Sequence, residues 1–475
     1  MNVSLHKQVC VFAACVLLAG TAMCAAAATP GAPGAAEVER GHYLAIAGDC
    51  VSCHTAPGGK PYAGGLPTMT PIGAVISTNI TPSKTDGIGN YTLQQFSAAV
   101  REGIRADGAH LYPVMPYTEY SQLTNSDVQA LYAYFMHGVQ PVDSKPPKTR
   151  LPFPFNIRME MAVWNWMFLD KHPFTADPAE SPAWNRGAYL VRGPTHCGTC
   201  HTPRNLMMAE KSSDALAGGQ VDTWFAPNIT SDANSGIGNW SEQDIVDYLH
   251  SGRAPGKAQE AAGPMAEAIQ FSLSHLTQAD LQAIAVYLKT VPARHDPADT
   301  RPVDTWGSAY ADLASIRGKP LPKHPDDMSG PQLYDAYCAS CHEDQGQGSF
   351  DGGLPSLFHN TATGRSNTAN LVMVMLDGIH GYGNGAIRMP GFGSELSNRQ
   401  IATLGSYVTQ HFGNPAATIT VSQVATLRAG GASSNLVLLA RILIVIALII
   451  LALIIVGIVV LIRRRTQRRT LPATP

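Results

Sequence analysis

Charged residues are scarce in this sequence, and neither sign is in clear excess. They make up 14% of the 475 residues, and the formal net charge is −2 at pH 7. Proteins that bind nucleic acid need a basic surface to neutralise phosphates. Because the net charge is small and the folded part has no basic stripe, the composition excludes nucleic acid as a partner.

The sequence also lacks the motifs of a nucleotide-dependent enzyme. No Gly-x-Gly-x-x-Gly segment opens a βαβ unit, and no other dehydrogenase cofactor motif is present. We therefore predict no substrate-oxidising centre and no catalytic residue in this chain.

Cysteine is limited to nine residues, and three of them, Cys10, Cys15 and Cys24, fall in the first 28 residues. The other six form three Cys-x-x-Cys pairs, and a histidine directly follows each pair. The pairs are Cys50 and Cys53, Cys197 and Cys200, and Cys338 and Cys341, and the histidines are His54, His201 and His342.

Residues 1–28 have the layout of a secretory signal peptide. Lys7 precedes an apolar run that begins at Val9, and the segment ends in four alanines. A basic start, an apolar centre and small residues before the cleavage point are typical of such peptides. A retained N-terminal membrane helix is the alternative, but the apolar run is short for one.

An uninterrupted apolar run near the C-terminus predicts a transmembrane helix over residues 436–462. All 21 residues from Ile442 to Ile462 are apolar or glycine, enough for a helix to cross a hydrocarbon core of about 30 Å. Five arginines follow in the tail, residues 463–475, so the positive-inside bias makes this tail cytoplasmic. The rest of the mature chain then lies outside, in agreement with the signal peptide.

Cys-x-x-Cys-His is the attachment motif for haem c. The two thiols form thioether bonds to the haem, and the adjacent histidine is the proximal ligand of the iron. A redox-active disulfide would need a thioredoxin-like context, and a structural zinc site would need four ligands. Neither alternative accounts for a histidine after all three pairs, so the sequence predicts three covalently bound haems c.

The similarity between the first two units extends well beyond the cysteines, which indicates tandem domains. The third unit is shorter and lacks the Asn-Ile-Thr segment. The corresponding segments are RGHYL at 40–44 and RGAYL at 186–190, NIT at 79–81 and at 228–230, and GIGNY at 87–91 and GIGNW at 236–240.

Each unit is predicted to close with a helix that begins at a capping box or a near variant of one. A leucine before each cap can pack onto an apolar residue one turn into the helix. The caps are Thr124, Thr277 and Ser397, with Asp127, Asp280 and Gln400 three residues later, and Tyr134, Tyr287 and Tyr407 occupy equivalent places.

A methionine beside proline lies between the haem motif and the closing helix of each unit. A low-spin electron carrier needs a sixth iron ligand, and thioether sulfur raises the reduction potential. We predict this role for Met115, Met265 and Met389. Met69, Met207, Met373 and Met375 are expected to fill apolar gaps, the usual role of the residue. The competing sixth ligands, His110, His250, His275, His359 and His380, do not recur at one position.

With these motifs, the sequence resembles the membrane-bound tri-haem cytochrome c subunit of bacterial periplasmic dehydrogenases. The resemblance covers roughly residues 36–428. It is carried by GGKPYAGG, STNITPSKTDGIGNYT, LYPVMPY, WNRGAYLV, GPMAEAI and PSLFHN, besides the three haem motifs.

The resemblance implies an all-α fold, with three tandem cytochrome c domains followed by a single C-terminal transmembrane helix. The expected domains are residues 36–145, 183–295 and 328–414. By motif, the proximal ligands fall on His54, His201 and His342, and the distal ligands on Met115, Met265 and Met389.

The resemblance also implies partners. A separate catalytic subunit, with FAD or pyrroloquinoline quinone (PQQ), oxidises a sugar, sugar acid or alcohol and passes electrons through the haems to ubiquinone. A small third subunit can complete such a complex. The expected location is the bacterial inner membrane, with the haem domains in the periplasm. The C-terminal span favours the flavin-linked sugar and sugar-acid members over the PQQ alcohol enzymes.

Two other functions remain open from the sequence. The first is a cytochrome subunit that feeds a terminal oxidase. The second is a catalytic multihaem enzyme such as a peroxidase, which needs an iron with an open sixth position, and three candidate methionines argue against it.

The linker between the first two units contains an aromatic and apolar segment, Met159–Phe168. Its character suits a membrane interface or the surface of a partner protein. We consider docking of the catalytic subunit, proximity to the quinone, and ordinary packing between domains as its roles.

Overall fold

The computed structural model describes residues 33–254, 259–380, 387–432 and 434–469. The predicted signal peptide, residues 1–28, and the end of the predicted basic tail, residues 470–475, lie outside the described residues. Within the described ranges the chain is mostly helical, as the all-α prediction expected, and its strands are short.

The helices vary from single turns to one of 34 residues. They are α1 Ala35–Ala47, α2 Cys50–Cys53, α3 Leu93–Glu102, α4 Tyr117–Tyr120, α5 Asn125–Ala133, α6 Glu160–Phe168, α7 Pro182–Arg192, α8 Gly198–His201, α9 Glu242–Ser251, α10 Gly263–Phe271, α11 Gln278–Leu288, α12 Gly330–Tyr337, α13 Ala339–His342, α14 Thr361–Gly364, α15 Ala369–Asp377, α16 Asn398–Phe412, α17 Val421–Arg428 and α18 Leu436–Arg469.

The strands pair only as antiparallel two-stranded ladders within the described ranges. They are β1 Pro67–Thr68 with β2 Val75–Ile76, β3 Gly219–Val221 with β4 Trp224–Ala226, β5 Arg253–Ala254 with β6 Gln259–Glu260, and β7 Gly378–His380 with β8 Ile387–Pro390.

In the first unit, helices α1 and α5 pack against each other at very close range. A Cβ atom added at Gly41 would lie 1.9 Å from the carbonyl oxygen of Ala130 and 2.7 Å from the Cβ of Tyr134. No side chain fits there, so glycine is required where the two helix backbones meet.

The second and third units repeat this arrangement. In the pair of α7 and α11, a Cβ at Gly187 would lie 1.9 Å from the carbonyl oxygen of Ala283 and 2.8 Å from the Cβ of Tyr287. In the pair of α12 and α16, a Cβ at Gly330 would lie 2.7 Å from the Cβ of Tyr407. The equivalence of the three tyrosines is confirmed, because each one lies opposite the glycine of its helix pair.

A separate hydrophobic cluster surrounds each helix pair. Leu44, Phe96 and Leu131 belong to the first, Leu190, Ile245 and Ile284 to the second, and Leu333, Val372 and Ile401 to the third. Each of the first two clusters contains a residue from the other unit. Ala47 of α1 lies in the second cluster, and Tyr189 of α7 lies in the first. The first two units therefore share an extensive interface.

The predicted helix starts are confirmed, but only one of them is a full capping box. The hydroxyl oxygens of Thr124, Thr277 and Ser397 each accept a hydrogen bond from the backbone N–H three residues later. The Gln400 side chain returns this contact by accepting from the Ser397 backbone N–H. Asp127 and Asp280 instead bind groups on other helices, described below.

Helix α18 contains the predicted transmembrane segment and continues past it through the arginines to Arg469. Its residues Leu436–Arg465 are long and apolar enough to cross a membrane, by length and composition. The isolated apolar surface of this helix fits the prediction that it lies in lipid.

The expectation that four methionines fill apolar gaps is confirmed for Met373 and Met375, which are buried in α15. It is wrong for Met69 and Met207, whose side chains are exposed. Both lie in loops, where no helix face directs a side chain into a core.

Candidate haem-attachment sites

Each Cys-x-x-Cys-His motif forms a single helical turn directly after the first helix of its unit. These turns are α2, α8 and α13. Asp49 and His196, which precede the first two motifs, adopt a left-handed backbone conformation with φ of 49° and 38°. These residues lie between the end of α1 or α7 and the motif, which therefore starts as a separate turn.

The three histidines share one hydrogen-bond arrangement. The Nδ1 atom of His54 lies 2.7 Å from the carbonyl oxygen of Thr78, that of His201 2.6 Å from the carbonyl oxygen of Pro227, and that of His342 2.9 Å from the carbonyl oxygen of Pro355. A carbonyl oxygen can only accept, so each Nδ1 carries the proton. The Nε2 lone pair is left for a metal, as in metal-binding histidines generally.

Burial lowers the pKa of all three histidines and outweighs the carbonyl bonds, which act in the opposite direction. The imidazoles are therefore neutral at physiological pH, which is the form that binds iron. The residues present thus fit the proximal role.

The repeated Asn-Ile-Thr segment explains how the first two carbonyls are held. Thr78 and Pro227 directly precede Asn79 and Asn228. Each asparagine Oδ1 accepts from the backbone and hydroxyl of the threonine two residues later. The third unit has no such segment and supplies the carbonyl of Pro355 from a different loop.

The thiols do not have the character of a redox-active pair. Burial raises the pKa of Cys50 and Cys338 to about 12, and that of Cys53 and Cys197 to about 11. A catalytic dithiol needs a lowered pKa, because the thiolate is the nucleophile. Within the described residues, no three His, Cys, Asp or Glu side chains come together as metal ligands, so the zinc alternative gains no support.

The structure places each candidate methionine at the hydrophobic cluster that also contains a cysteine of its unit. Met115 and Cys50 pack on the first cluster, and Met265 and Cys197 on the second. Met389 packs on the third cluster, which contains Cys338. Among the competing histidines, His250 and His380 are exposed, and the Nε2 of His275 lies 3.0 Å from the carbonyl of Gln270.

A reciprocal set of contacts joins the first two units. Tyr43 of α1 donates to Asp280 of α11 at 2.6 Å, and Tyr189 of α7 donates to Asp127 of α5. Each aspartate also pairs with the arginine of its own unit: Asp127 with Arg40 and Asp280 with Arg186. Burial raises the pKa of Asp280, but the bonds from Arg186 and Tyr43 bring it below its ordinary value.

Two carboxyl groups meet over the second haem motif. A Cβ atom at Gly198 would lie 2.8 Å from Glu119 Oε1 and 3.1 Å from Glu210 Oε2. Glu119 follows the Met115 loop of the first unit, and Glu210 belongs to the second. Burial, and then the proximity of Glu210, raise the pKa of Glu119 well above its ordinary value. The motif contains glycine at position 198 because these carboxyl groups occupy the space of a side chain.

The third unit contacts the second through residues that have no counterpart in the first interface. The Asn370 side chain forms two 2.8 Å hydrogen bonds with the backbone of Phe225 in β4. Arg388, beside Met389, lies 3.0 Å from Glu260, which also pairs with Arg253. The carboxyl of Glu260 is thus paired with an arginine from each of the two units.

The sequence predicted cysteines, histidines and methionines for these sites but not the groups that hold the histidines. The carbonyls of Thr78, Pro227 and Pro355 carry no side-chain signal. The paired Tyr43 and Tyr189 were visible as part of a repeat, but a repeat alone does not show that its members face each other's units.

Comparison with family models gives two matches. Residues 38–138 match the model described as cytochrome c. Residues 325–408 match the model described as cytochrome c oxidase, cbb3-type, subunit III.

Several curated proteins are similar over most of the chain. A fructose dehydrogenase cytochrome subunit from Gluconobacter japonicus is 47% identical, covering 90% of each chain. An alcohol dehydrogenase (quinone) cytochrome c subunit from Gluconacetobacter polyoxogenes is 41% identical, covering 88% of this chain and 89% of its own. A gluconate 2-dehydrogenase cytochrome c subunit from Pantoea cypripedii is 40% identical, covering 82% and 89%. The chain belongs to this family of cytochrome c subunits of bacterial dehydrogenases, and its cytochrome c domains imply covalently bound haem c.

Proposed function

We propose that this chain is a tri-haem electron-transfer subunit of a membrane-bound periplasmic dehydrogenase complex. The observation that carries the proposal is the threefold repetition of one local geometry. In each unit, an imidazole with Nδ1 fixed by a backbone carbonyl follows a Cys-x-x-Cys turn, and a cysteine of that turn packs on the same hydrophobic cluster as a methionine.

The proposed cytochrome c domains are residues 36–145, 183–295 and 328–414. The cysteine pairs attach the haems, His54, His201 and His342 are the proximal ligands, and Met115, Met265 and Met389 are the distal ligands. Haem c, when bound, supplies an iron that accepts and donates one electron. The chain's own residues fix the tautomers of the histidine ligands.

The proposed electron donor is a separate catalytic subunit that uses FAD or PQQ, with a small third subunit as a further component. The named functions of the relatives, oxidation of fructose, alcohol or gluconate, support this class of partner. The proposed acceptor is ubiquinone in the bacterial inner membrane. An exported chain, anchored by α18 with its arginines in the cytoplasm, brings the haems to the periplasmic face.

A role in a terminal oxidase has one supporting observation, the match of residues 325–408 to an oxidase subunit model. That match covers a single unit, whereas the dehydrogenase subunits match over most of the chain. The dehydrogenase role is therefore the better supported of the two.

The test is purification of the native complex in detergent, followed by identification of the co-purifying subunit and assay of ubiquinone-analogue reduction with fructose, gluconate and ethanol. We expect a catalytic subunit in the complex and quinone reduction with one class of substrate. The chain purified alone should oxidise none of them. Substrate turnover by the isolated chain, or co-purification with oxidase subunits only, contradicts the proposal.

The distal ligands can be tested by substitution. Met115→His replaces thioether by imidazole and should lower the potential of one haem by an amount on the order of 0.1 V, within the roughly 0.8 V range that axial ligands span. Met69→His, at an exposed methionine, is the matched control and should leave the redox titration unchanged. An unchanged titration of Met115→His contradicts the assignment.

A further inference from the structure

One face of helix α6 is apolar and open to solvent. Met159, Val163, Trp166 and Met167 share this face by helical spacing, and Trp166 is 84% exposed. The opposite face is anchored: Trp164 is buried against Tyr117. The segment therefore contributes to interdomain packing with one face and leaves the other without a partner in the described part of the chain.

Neighbouring loops enlarge this apolar surface. The Trp164 indole N–H donates to the carbonyl of Met207 at 2.9 Å, which holds this loop next to α6. The side chains of Leu206 and Met207 in the loop are exposed. Phe153 and Ile157, just before α6, are also exposed. We call this surface the α6 patch; it consists of Phe153, Ile157, Met159, Val163, Trp166, Met167, Leu206 and Met207.

Arg158, which lies between two patch residues in sequence, is held by the protein. Its guanidinium donates to the carbonyl of His110 at 2.8 Å and lies 4.6 Å from the centre of the Tyr112 ring. This arginine is therefore bound to the first unit.

A hydrogen bond links the patch to the membrane helix. Arg441 of α18 donates from Nε to the carbonyl of Phe153 at 3.0 Å. Arg441 directly precedes the apolar run from Ile442 to Ile462. As a helix this run is about 31 Å long, which equals the hydrocarbon thickness. Arg441 therefore marks the boundary of the hydrocarbon core, and Phe153 lies at the level of the lipid headgroups.

The start of α6 follows Phe153 closely in the sequence. Phe153 and Met159 are six positions apart, a distance of at most about 20 Å for extended chain. The actual path is shorter, because the Ile157 N–H bonds to the carbonyl of Pro154 in a tight turn. The polar layer on each side of the hydrocarbon core is roughly 5–8 Å deep, so exposed side chains near Phe153 reach it.

We propose that the α6 patch inserts into the headgroup layer of the periplasmic leaflet, as a second membrane contact besides α18. This inference rests on the proposed membrane span. Tryptophan and long apolar side chains are the residues that favour this layer. The contact fixes the linker between the first two haem units against the bilayer, so these units cannot rotate freely about the single helix.

The test uses the complete native complex, reconstituted in vesicles that contain a lipid with a photoactivatable carbene precursor near the headgroup. After illumination, labelled peptides are mapped by mass spectrometry. We expect label on the peptides of the α6 patch and on α18, and none on the peptides around Leu321 and Phe350, which are exposed apolar residues outside the patch.

Each result has a definite meaning. Label on α18 without label on the patch overturns this proposal and leaves the membrane span intact, whereas no label on α18 overturns both. Label on the patch in the isolated chain but not in the complex shows that the catalytic subunit covers it, which also overturns the proposal.

A double variant gives a second measurement. Val163→Ser with Trp166→Ser should reduce patch labelling several-fold and leave α18 labelling unchanged. Leu321→Ser with Phe350→Ser is the matched control and should change neither. Equal patch labelling in the double variant and in the wild type contradicts the insertion.

Discussion

At the scale of single residues, the haem sites depend on groups that a motif cannot show. The pattern Cys-x-x-Cys-His predicts which histidine binds the iron, but a backbone carbonyl decides which ring nitrogen is free. The carbonyl of Pro355 comes from a loop unlike those of Thr78 and Pro227, and yet it contacts the same atom. A carbonyl is common to all residues, so sequence reasoning had no signal for this part of the site.

Glu119 supplies a prediction on pH dependence. Its pKa is raised in the folded chain, so the folded state holds this proton more tightly than the unfolded state. The contribution of Glu119 to stability is therefore greatest at low pH and is lost as pH rises from the ordinary carboxyl pKa to the raised one. Glu119→Gln removes the cost of ionising this buried carboxyl group. It should therefore stabilise the protein at pH 8 by roughly 1 kcal/mol.

Denaturant unfolding between pH 5 and pH 8 measures this effect. Glu395→Gln, at an exposed glutamate, is the control. Its free energy of unfolding should change with pH as that of the wild type does. If the free energy of unfolding changes with pH equally in the wild type and in Glu119→Gln, the raised pKa of the buried carboxyl group is contradicted.

At the scale of elements, the close crossings of α1 with α5 and of α7 with α11 define the first two units. The predicted helix starts at Thr124, Thr277 and Ser397 were correct because N-cap chemistry is local. The starts at Thr124 and Thr277 are the near variants that were predicted, because Asp127 and Asp280 each bind an arginine and a tyrosine instead of the N-cap N–H. Local patterns thus gave the elements, and longer-range partners decided how their side chains are used.

A substitution at Gly187 tests the close crossing of α7 with α11. Gly187→Ala should destabilise the second unit by roughly 1–3 kcal/mol, the range for overpacked sites, because the new Cβ meets the Ala283 carbonyl, which cannot move without the helix. Replacing glycine by alanine inside a helix usually increases stability by up to about 1 kcal/mol, and this gain partly offsets the destabilisation from the clash.

Thermal unfolding of the full chain measures the change. Gly34→Ala, where a Cβ would meet nothing within 4 Å, is the control and should have the stability of the wild type. A variant at Gly187 as stable as the control would contradict the close crossing.

At the scale of the whole molecule, the first two units are joined symmetrically and the third is joined differently. The Tyr43 and Tyr189 hydrogen bonds repeat each other across the first interface, whereas Asn370 and Arg388 attach the third unit to its neighbour. The sequence repeat predicted the similarity of the units. It did not predict this interface, because the same repeat is compatible with units that never touch.

The double variant Tyr43→Phe with Tyr189→Phe tests that interface. Each substitution removes a hydrogen bond to a carboxylate, worth roughly 1.5–3 kcal/mol, so the first two units should lose cooperativity and unfold in separate calorimetric transitions. Tyr132→Phe removes a hydroxyl bond to the Tyr91 carbonyl inside one unit and should leave the two units coupled. A single shared transition in the double variant contradicts the coupling role.

The central claim is that three haems are attached to this chain, one in each unit. Peptide mass spectrometry of the exported, mature protein measures it most directly. The account predicts haem mass on three peptides, which contain Cys50 and Cys53, Cys197 and Cys200, and Cys338 and Cys341. Free thiols in any of these pairs, or fewer than three haem-bearing peptides, would contradict it.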